Sequence, residues 1–580
     1  MKTTCINIIL IICLLIISCG QEKERSINTN LQDGNEFKND SKISIDSYNN
    51  VTVENLIVLC KVWGFLKYYH PDIANGKIDW DNELFRIMPR IINSTSKKER
   101  NKHLLSWVKK YDNIEKTEKA FYPNADSVKL YPGIAWIEDQ NTLGKVSKVL
   151  IKIKNAKRDD NKWNYFTTDS PQSAVPKFKN ENPYPNLSMP DIGYRLLALF
   201  RYWNIIEYYY PYKYLIHAEW NKILFEFIPL FIEANDNLSY KLSILKLITR
   251  INDTHARLYD PIIEDYKGKR IAPIEIGFVE GRAIVMSGFY KPYYKTDYPF
   301  RLGDQILKIN NEPIESIVER KLQTIPASNY PAKLRLIARE LFRTNNDKLI
   351  IDYERNGKLY IDTINTFSIQ KSNIPNRFKQ DIPYYQVLKN NVSYIYPASM
   401  RGGVIPDSIN TNGIIIDLRC YPSMDNKGYW EFNQLYPAPI EFAKFTTGNA
   451  THPGLFTYLP TTKVGNYNPH YFKGKKVILV NEITISHSEF MAMKYRCAPN
   501  SIVMGSTTAG ADGGIIKVDL PGGISTYITG AGVYYPDGTE TQQIGIRPDI
   551  EVLPTIKGIR EGRDELLEKA IEYLIKSKLN

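Results

Sequence analysis

Cysteine and histidine are scarce in this sequence, which limits the kinds of site that it can build. Its 580 residues include six cysteines and seven histidines, and three of the cysteines fall within the first 19 positions. The others, Cys60, Cys420 and Cys497, are scattered singly along the chain. Three isolated cysteines make neither a disulfide framework nor a zinc site, so we expect small buried apolar residues at these positions. The sequence predicts no metal site and no cofactor.

Long apolar runs are also rare, and so are concentrations of charge of one sign. The run from Ile6 to Ile17 is too short to span a bilayer comfortably. The formal net charge of +12 is not gathered into one segment, and the sequence contains no recognisable nucleic-acid-binding module. A basic surface facing anionic lipid and a general bias toward lysine would give the same composition. We expect no nucleic-acid partner.

The segment from Val477 to Lys494 carries the strongest functional signal. Its first four residues are apolar and typical of a buried strand, whereas the residues from Phe490 onward follow helical spacing. Ser486 lies between the two, near the predicted helix N-terminus, where free backbone N–H groups and the helix dipole favour negative charge. This position suits a nucleophile beside an oxyanion site. Alternatively, Ser486 or Ser488 caps the helix, with Glu489 in its first turn.

Four other segments carry recognisable blocks in a fixed order. They are Asn252–Arg257 (N-D-T-H-A-R), Leu302–Ile314 around a Gly-Asp turn, Gly413–Arg419 (G-I-I-I-D-L-R) and Gly545–Ile550 (G-I-R-P-D-I). Together with the S-H-S-E run at Ser486, they resemble the C-terminal processing (tail-specific) serine protease family. The resemblance implies a catalytic α/β domain, a PDZ-like domain at the second block, and Ser486 as the nucleophile.

The base that activates Ser486 distinguishes two branches of that family. In the lysine branch the base follows the nucleophile by 25 positions, which here is Ala511, and Lys517 lies in the next strand-like run. The resemblance therefore points to His255 as the base, as in the tricorn-like branch, with Thr254 at the position of a hydroxyl residue there. The alternative for His255 is a structural histidine beside a capped helix.

Two further elements of the family's site are altered in this sequence. The backbone N–H of His487 matches one oxyanion donor, but the glycine turn that supplies the second is replaced by Cys420–Ser423. Because Pro422 lacks an N–H, we expect Ser423 to donate instead. The orienting glutamate is displaced, so the resemblance leaves Glu540 or Gln542 to support the base. Gln542 would orient a hydroxyl without contributing charge.

The N-terminal region contains an internal repeat at an offset of 140 residues. Leu59–Pro71 aligns with Leu199–Pro211, and the same offset pairs Trp63 with Trp203, Trp80 with Trp220 and Pro89 with Pro229. Such a pattern is typical of two copies of a helical unit with buried aromatic stripes. The segment from about Ala120 to Tyr165 between the copies is a mixed insertion that the pattern does not assign.

The remaining chain shows two different patterns. Short strands and a helix from Ala332 to Phe342 fit the PDZ-like domain, which either captures an extended peptide or serves as a spacer. From about Arg377, strands alternate with helices as in a crossover α/β sheet, with core strands at Ile414–Asp417, Val477–Val480 and Ile502–Met504. The predicted fold class is thus multidomain α/β, with a duplicated helical region, a PDZ-like domain and a catalytic domain.

The N-terminus indicates a destination at the cell envelope. The apolar run ends at Ile16–Gly20 and resembles a bacterial lipoprotein signal, which implies lipidation of Cys19. A cleaved signal peptide and an uncleaved anchor are the alternatives. The predicted boundaries follow in order: a signal at 1–18, a flexible tether at 19–50, the helical region at 51–268, the PDZ-like domain at 269–368, the catalytic domain at 377–556 and a C-terminal helix at 557–580.

Together these features predict a lipid-anchored serine endopeptidase of the cell envelope, at the outer membrane or periplasmic face, acting on proteins or peptides. Its substrates could reach it through the PDZ-like domain. A catalytically degenerate family member that binds a peptide or an apolar ligand is the alternative. A scaffold that uses only the PDZ-like groove is a third reading.

Overall fold

The computed structural model describes residues 36–115, 123–158, 165–168, 175–216, 220–287, 298–369, 382–399, 405–406, 409–423 and 433–576. The predicted signal, Cys19 and most of the tether therefore lie outside the described residues. Within the described ranges, no helix is long and apolar enough to cross a membrane.

The N-terminal region is built mainly of helices. They are α1 (Asn50–Tyr69), α2 (Pro71–Ala74), α3 (Trp80–Ile92), α4 (Lys97–Val108), α5 (Gln140–Leu143), α6 (Val146–Lys154), α7 (Ile192–Tyr209), α8 (Trp220–Glu233), α9 (Asn237–Thr249) and α10 (Pro261–Lys267). Three strands lie among them: β1 (Val128–Leu130), β2 (Phe166–Thr168) and β3 (Pro176–Phe178). The starts of α3 and α8, and those of α4 and α9, are separated by the offset of the repeat.

Each helical unit is closed by a reciprocal pair of tryptophans. The Trp63 indole N–H donates to the Trp80 carbonyl at 3.0 Å, and the Trp80 indole donates to the Trp63 carbonyl at 2.9 Å. Trp203 and Trp220 repeat this exchange at 2.9 and 3.1 Å. Buried indole N–H groups need partners, and here the backbone of the facing helix supplies them.

The central unit is β-rich and covers residues 270–368. Its elements are β4 (Arg270–Ile271), β5 (Glu275–Val279), β6 (Arg282–Ser287), β7 (Gln305–Ile309), β8 (Glu312–Pro313), α11 (Ile314–Leu322), α12 (Tyr330–Ala338), β9 (Arg343–Thr344), β10 (Lys348–Arg355), β11 (Lys358–Asn365) and β12 (Phe367–Ser368). The main sheet has the order β11-β10-β7-β6-β5, with β8 paired to β7. The helix expected to reach Phe342 ends at Ala338, because the chain turns into β9.

The C-terminal region contains a second, mixed sheet. Its strands and helices are β13 (Tyr385–Leu388), β14 (Val392–Ile395), β15 (Ile414–Asp417), β16 (Ile440–Gly448), β17 (Phe456–Tyr458), β18 (Thr462–Val464), β19 (Lys476–Val480), α13 (His487–Arg496), β20 (Ser501–Gly505), β21 (Ile515–Leu520), β22 (Ile524–Thr529), β23 (Gly532–Tyr534), β24 (Ile550–Glu551), α14 (Ile556–Arg560) and α15 (Glu565–Lys576). The sheet order is β13-β14-β15-β19-β20-β24, parallel from β14 onward. The three predicted core strands are confirmed as β15, β19 and β20.

Three contacts join regions that the sequence analysis predicted as separate. One hydrophobic core contains side chains of the helical region together with Ile516, Val518 and Ile528 of the β21–β22 hairpin. Strand β1, from the unassigned insertion, pairs with β17 of the C-terminal region. Helix α15, expected as a separate element, covers the parallel sheet with Leu566, Ala570 and Leu574. The chain is thus a multidomain helix-and-sheet protein whose first and last regions share packing.

Candidate active site

Ser486 adopts a backbone conformation that is rare for a side chain other than glycine. Its φ of 54° and ψ of −119° place it between β19 and α13, directly before the first helical residue. Such conformations cost about 1–3 kcal/mol and persist only where the surroundings enforce them. Two acceptors hold the Ser486 N–H: the Ala511 carbonyl at 2.9 Å and the Glu489 carboxylate at 3.1 Å. The serine is partly exposed, so a substrate can reach it.

The carboxylate of Glu489 fastens this turn to the loop of residues 508–513. It is buried and accepts hydrogen bonds from the backbone of Gly510 at 2.7 Å and Ala511 at 3.0 Å, and from the Thr508 hydroxyl. Burial raises the pKa of Glu489, while these three donors and the Ser486 N–H oppose the rise. The network explains the acidic residue of the S-x-S-E run, because Glu489 sets the position of the serine turn.

Asp512 lies in the same loop as a second buried acid. Burial raises its pKa well above the usual range, and the charge of Glu489 raises it further. Its Oδ1 accepts from the Gly513 N–H at 2.7 Å, and its Oδ2 has no hydrogen-bond partner among the described residues. Both effects favour the uncharged form of the Asp512 carboxyl group.

His255 lies in the segment between α9 and α10, where Asp253 and Thr529 surround its imidazole. Its Nδ1 is 2.7 Å from the Thr529 hydroxyl, and its backbone N–H donates to Asp253 at 2.9 Å. Burial lowers the pKa of His255, the Asp253 carboxylate raises it and Arg257 lowers it. Its Nε2 is buried and has no hydrogen-bond partner within the described residues. The imidazole is held neutral with one nitrogen available to a reacting group.

Thr254 attaches the histidine segment to both neighbouring regions. Its hydroxyl contacts the Ser328 hydroxyl at 3.0 Å and the Ala509 carbonyl at 3.2 Å, and it accepts from the Ser328 N–H at 2.9 Å. Ala509 in turn donates its N–H to the Thr484 carbonyl at 3.0 Å. Ala509 also packs against Ile485 and against Ala332 of α12. Ser486 and His255 are therefore anchored to one loop, although no hydrogen bond joins them among the described residues.

The two predicted oxyanion donors differ in their placement. His487 is the first residue of α13, so its N–H belongs to the open end of that helix. Burial, with a smaller contribution from Lys494, lowers the pKa of its imidazole to about 4. The N–H of Ser423, in contrast, donates to the Pro397 carbonyl at 3.0 Å. That engagement argues against Ser423 as the second donor, because the group is already used to fix its own turn.

The residues expected to support the base lie elsewhere. The Glu540 carboxylate accepts from Lys129 at 2.6 Å and from the Tyr214 hydroxyl at 2.8 Å, and makes no hydrogen bond to His255. Gln542 is fully buried, and neither atom of its amide has a hydrogen-bond partner of ordinary geometry among the described residues. It lies against Tyr210, whose pKa burial raises, with smaller contributions from Asp253 in the same direction and from Gln542 in the opposite one.

Lys517 does not serve as an alternative base in this arrangement. It lies in the β21–β22 hairpin, opposite Tyr527, and its ammonium group pairs with Asp519 at 2.9 Å. About half of its side chain is exposed to solvent. Ala511 occupies the position of the family's lysine, and its backbone serves the serine turn instead. The ion pair with Asp519 and the exposure to solvent make Lys517 a poor candidate for a desolvated base.

Sequence reasoning missed Asp253 and Thr529, the two residues beside the His255 imidazole. Asp253 was visible within the N-D-T-H block, and its spacing of two from His255 was the available signal. Thr529 has no motif around it, and it reaches the site only because β22 ends beside the histidine segment. Its partner Asp253 is 276 positions away along the chain.

Comparisons with known proteins bear on the family and the fold of the chain. The model of peptidase family S41 matches residues 321–552, a span that includes Ser486 but not the segment of His255. No curated protein sequence matches the chain. The structure is similar to that of mature CPAF complexed with lactacystin, with 15% sequence identity over 67% of this chain and 99% of that chain and a TM-score of 0.52.

A second structure of mature CPAF gives a similar result, with 15% identity over 67% of this chain and 98% of that chain and a TM-score of 0.51. At this level of identity the similarity shows a common fold. A catalytically degenerate binding protein is not favoured by these matches. The chain contains a peptidase family S41 domain, and the findings together support a serine-type peptidase.

Proposed function

We propose that this protein is a serine endopeptidase of the cell envelope in which Ser486 is the nucleophile and His255 is the base. The observation that carries the proposal is the common anchoring of both residues. The 508–513 loop binds the strained Ser486 turn through Ala511, and it binds the histidine segment through Ala509 and Thr254. A strained, partly exposed serine and a buried imidazole with an open nitrogen are the two components that serine hydrolysis requires.

The chemistry follows from the availability of Nε2. His255 takes the proton of the Ser486 hydroxyl as its oxygen attacks the carbonyl carbon of a peptide bond. The carbonyl oxygen becomes an oxyanion, and the His487 N–H at the start of α13 donates to it. His255 then gives the proton to the departing amine, and a water molecule releases the acyl group by the same sequence. The hydrogen bond between Ser486 and His255 forms on substrate binding, since such bonds are often long in unliganded enzymes.

Substrate delivery is the second part of the proposal. The central unit has strand order and helix placement suited to a PDZ-like domain, with β5 at the sheet edge and α12 beside it. An extended peptide would add a strand to that edge. Because the start of α12 packs on Ala509 and Ile485, a peptide held there would approach the serine turn. Part of the predicted domain, residues 288–297, lies outside the described residues.

The location at the cell envelope remains a proposal based on the N-terminal sequence. Lipidation of Cys19 would hold the folded region near a membrane through the tether. Mass spectrometry of the membrane-extracted protein tests this directly. A diacylglyceryl thioether on an N-terminal Cys19 supports the proposal, and an unmodified or differently cleaved N-terminus contradicts it. In the same proposal, the duplicated helical region holds the segment of His255 in a fixed position.

Cleavage profiling tests the catalytic assignment. The purified chain is incubated with a diverse peptide mixture and the products are identified by mass spectrometry, beside Ser486→Ala and His255→Ala. The matched controls are Ser127→Ala, at the partly exposed end of a 3-10 turn, and His470→Ala, at an exposed turn. Loss of cleavage in the first pair alone supports both assignments. Loss in Ser486→Ala but not in His255→Ala would remove the histidine from the mechanism.

A further inference from the structure

The orienting group of the candidate base is the least expected part of the site. Neither Glu540 nor Gln542 makes a hydrogen bond to His255, yet a base in a serine hydrolase needs a partner that fixes its orientation and tautomer. We infer that Asp253 and Thr529 form a two-residue relay that positions His255 and keeps the proton on its Nδ1. The inference rests on the proposed function, since it assigns a role to that same histidine.

Asp253 determines the direction of the hydrogen bonds in the relay. Its Oδ2 accepts from the Thr529 N–H at 2.7 Å, and its Oδ1 accepts from the Thr529 hydroxyl at 3.0 Å and from the His255 N–H at 2.9 Å. Asp253 is fully buried, so these contacts are protected from water. A carboxylate can only accept hydrogen bonds, and Asp253 is the acceptor in each of these three.

The Thr529 hydroxyl determines which nitrogen of the His255 imidazole carries the proton. A hydroxyl group carries a single proton, and in Thr529 that proton is directed to Asp253. Its oxygen must therefore accept from His255, whose Nδ1 is 2.7 Å away. The imidazole then carries its proton on Nδ1, and the lone pair lies on Nε2. Nε2 is the nitrogen without a partner among the described residues, so the relay presents the basic nitrogen to the reacting group.

The distance between Asp253 and the imidazole supports an indirect role for the carboxylate. Asp253 Oδ1 is 3.7 Å from His255 Nδ1, which is too long for a hydrogen bond. Its charge still favours the imidazolium that forms when the serine proton is taken, while burial and Arg257 act in the opposite direction. Asp253 and Thr529 are thus positioning residues that act through His255.

The tautomer of His255 can be measured in the unsubstituted chain and without turnover of a substrate. The full-length chain is prepared with ¹⁵N-labelled histidine, and the His255 signals are identified by their loss in His255→Gln. Nitrogen NMR distinguishes a protonated ring nitrogen from one with a free lone pair. We expect a protonated Nδ1 and an unprotonated Nε2 at neutral pH. The reverse tautomer overturns the inference, whether or not the chain cleaves peptides.

Two substitutions at Thr529 distinguish the effect of its hydroxyl group on kcat from the effect of its side-chain shape. Thr529→Val removes the hydroxyl and should lower kcat by about 100- to 10,000-fold, because a wrong tautomer alone is known to cost up to about 10,000-fold in serine proteases. Thr529→Ser keeps the hydroxyl and should recover most of kcat. KM should change little in either variant. Equal kcat in the valine and serine variants would overturn the relay.

Thr526→Val provides the matched control on the same strand. Thr526 is fully buried like Thr529, but its hydroxyl has no hydrogen-bond partner among the described residues. We expect unchanged kcat and an unchanged His255 tautomer in this variant. A loss equal to that of Thr529→Val would show that the effect comes from disturbance of β22, and would overturn the relay.

The two proposals fail in different ways. If the unmodified chain shows the expected tautomer but Ser486→Ala still cleaves peptides, the proposed nucleophile is wrong and the relay stands as a structural feature. If Ser486→Ala and His255→Ala abolish cleavage but the tautomer is reversed, the peptidase proposal stands and the relay is wrong.

Discussion

The two helical units of the N-terminal region share their packing, but His70 of the first unit and His255 of the second lie in different surroundings. In the first unit, His70 caps α2: its Nδ1 accepts from the Asp72 N–H at 3.2 Å, and its Nε2 lies 2.6 Å from the Tyr111 carbonyl. A carbonyl only accepts, so the proton of His70 is on Nε2. In the second unit, His255 has the opposite arrangement, with its proton toward Thr529. Surrounding groups thus place the proton of His70 on Nε2 and leave the Nε2 of His255 without a hydrogen-bond partner among the described residues.

The segments that follow α4 in the first unit and α9 in the second show where the difference arises. At the offset of 140, His255 corresponds to Glu115 and Thr254 to Ile114, which packs against the helical core. Glu115 forms an exposed ion pair with Lys157. The tryptophan pairs are kept in both units, and in the second unit Thr254 binds the carbonyl of Ala509 in the 508–513 loop. The repeated packing and the contact with this loop therefore depend on different residues of the same pattern.

The largest expected effect is the contrast between the two histidines. His255→Ala should lower kcat/KM by at least about 1,000-fold, because the serine would have no base. His70→Ala should leave kcat/KM within about twofold and lower the melting temperature through loss of a cap, a change of about 1–2 kcal/mol. Peptide cleavage rates and thermal unfolding measure the two effects. Similar losses of activity in both variants would contradict separate roles.

The threonine before the base provides the next comparison. Thr254→Val removes the hydroxyl that binds Ser328 and Ala509, and should lower kcat by about 10- to 100-fold, equivalent to about 1–3 kcal/mol for a buried group left without its partner. Ile114→Val, at the corresponding position of the first unit, removes one methylene group and should leave kcat unchanged. Steady-state kinetics of both variants provide the values of kcat. A fully active Thr254→Val would show that catalysis does not need the hydrogen bonds of the Thr254 hydroxyl.

The tryptophan pairs should behave alike in the two units. Trp63→Phe and Trp203→Phe each remove one buried N–H donor, and each should destabilise the protein by about 1–3 kcal/mol without changing kcat/KM per folded molecule. Thermal unfolding of the two variants beside the unmodified chain provides the measurement. A loss of activity confined to Trp203→Phe would indicate that packing in the second unit also sets the position of the base.

The smallest expected effect concerns pH. Because burial lowers the pKa of His255, the imidazole stays neutral below its usual value of about 6.5, and activity should be lost only at lower pH. The acidic midpoint of kcat/KM should therefore lie below about 6.5 and should be unchanged in His70→Ala. A midpoint above that value would mean that the Asp253 charge outweighs burial, and this pKa direction would then be wrong.

The sequence predicted the serine side of the site better than the histidine side. The change of period around Ser486 is a local signal, and the core strands Ile414–Asp417 and Val477–Val480 appear where the apolar pattern placed them. His255 was found only through a family resemblance. The partner Thr529 could not be found, because contacts between distant segments leave no local pattern.

Two expectations failed to anticipate tertiary structure for identifiable reasons. Ser423 was chosen because its neighbour Pro422 has no N–H, but the sequence could not show that the Pro397 carbonyl would take the Ser423 proton. Glu540 was chosen for its charge, but Lys129 from the unassigned insertion occupies it. In both cases the competing partner came from a segment whose structure the sequence pattern did not predict.

The contact between Asp253 and Thr529 also bears on when activity can begin. The two residues are separated by 276 positions, so the base reaches its final orientation only after the β21–β22 hairpin has been synthesised and has folded onto the helices. A growing chain that already contains His255 still lacks the group that directs its proton. In the proposed mechanism, proton transfer by His255 therefore requires the completed hairpin.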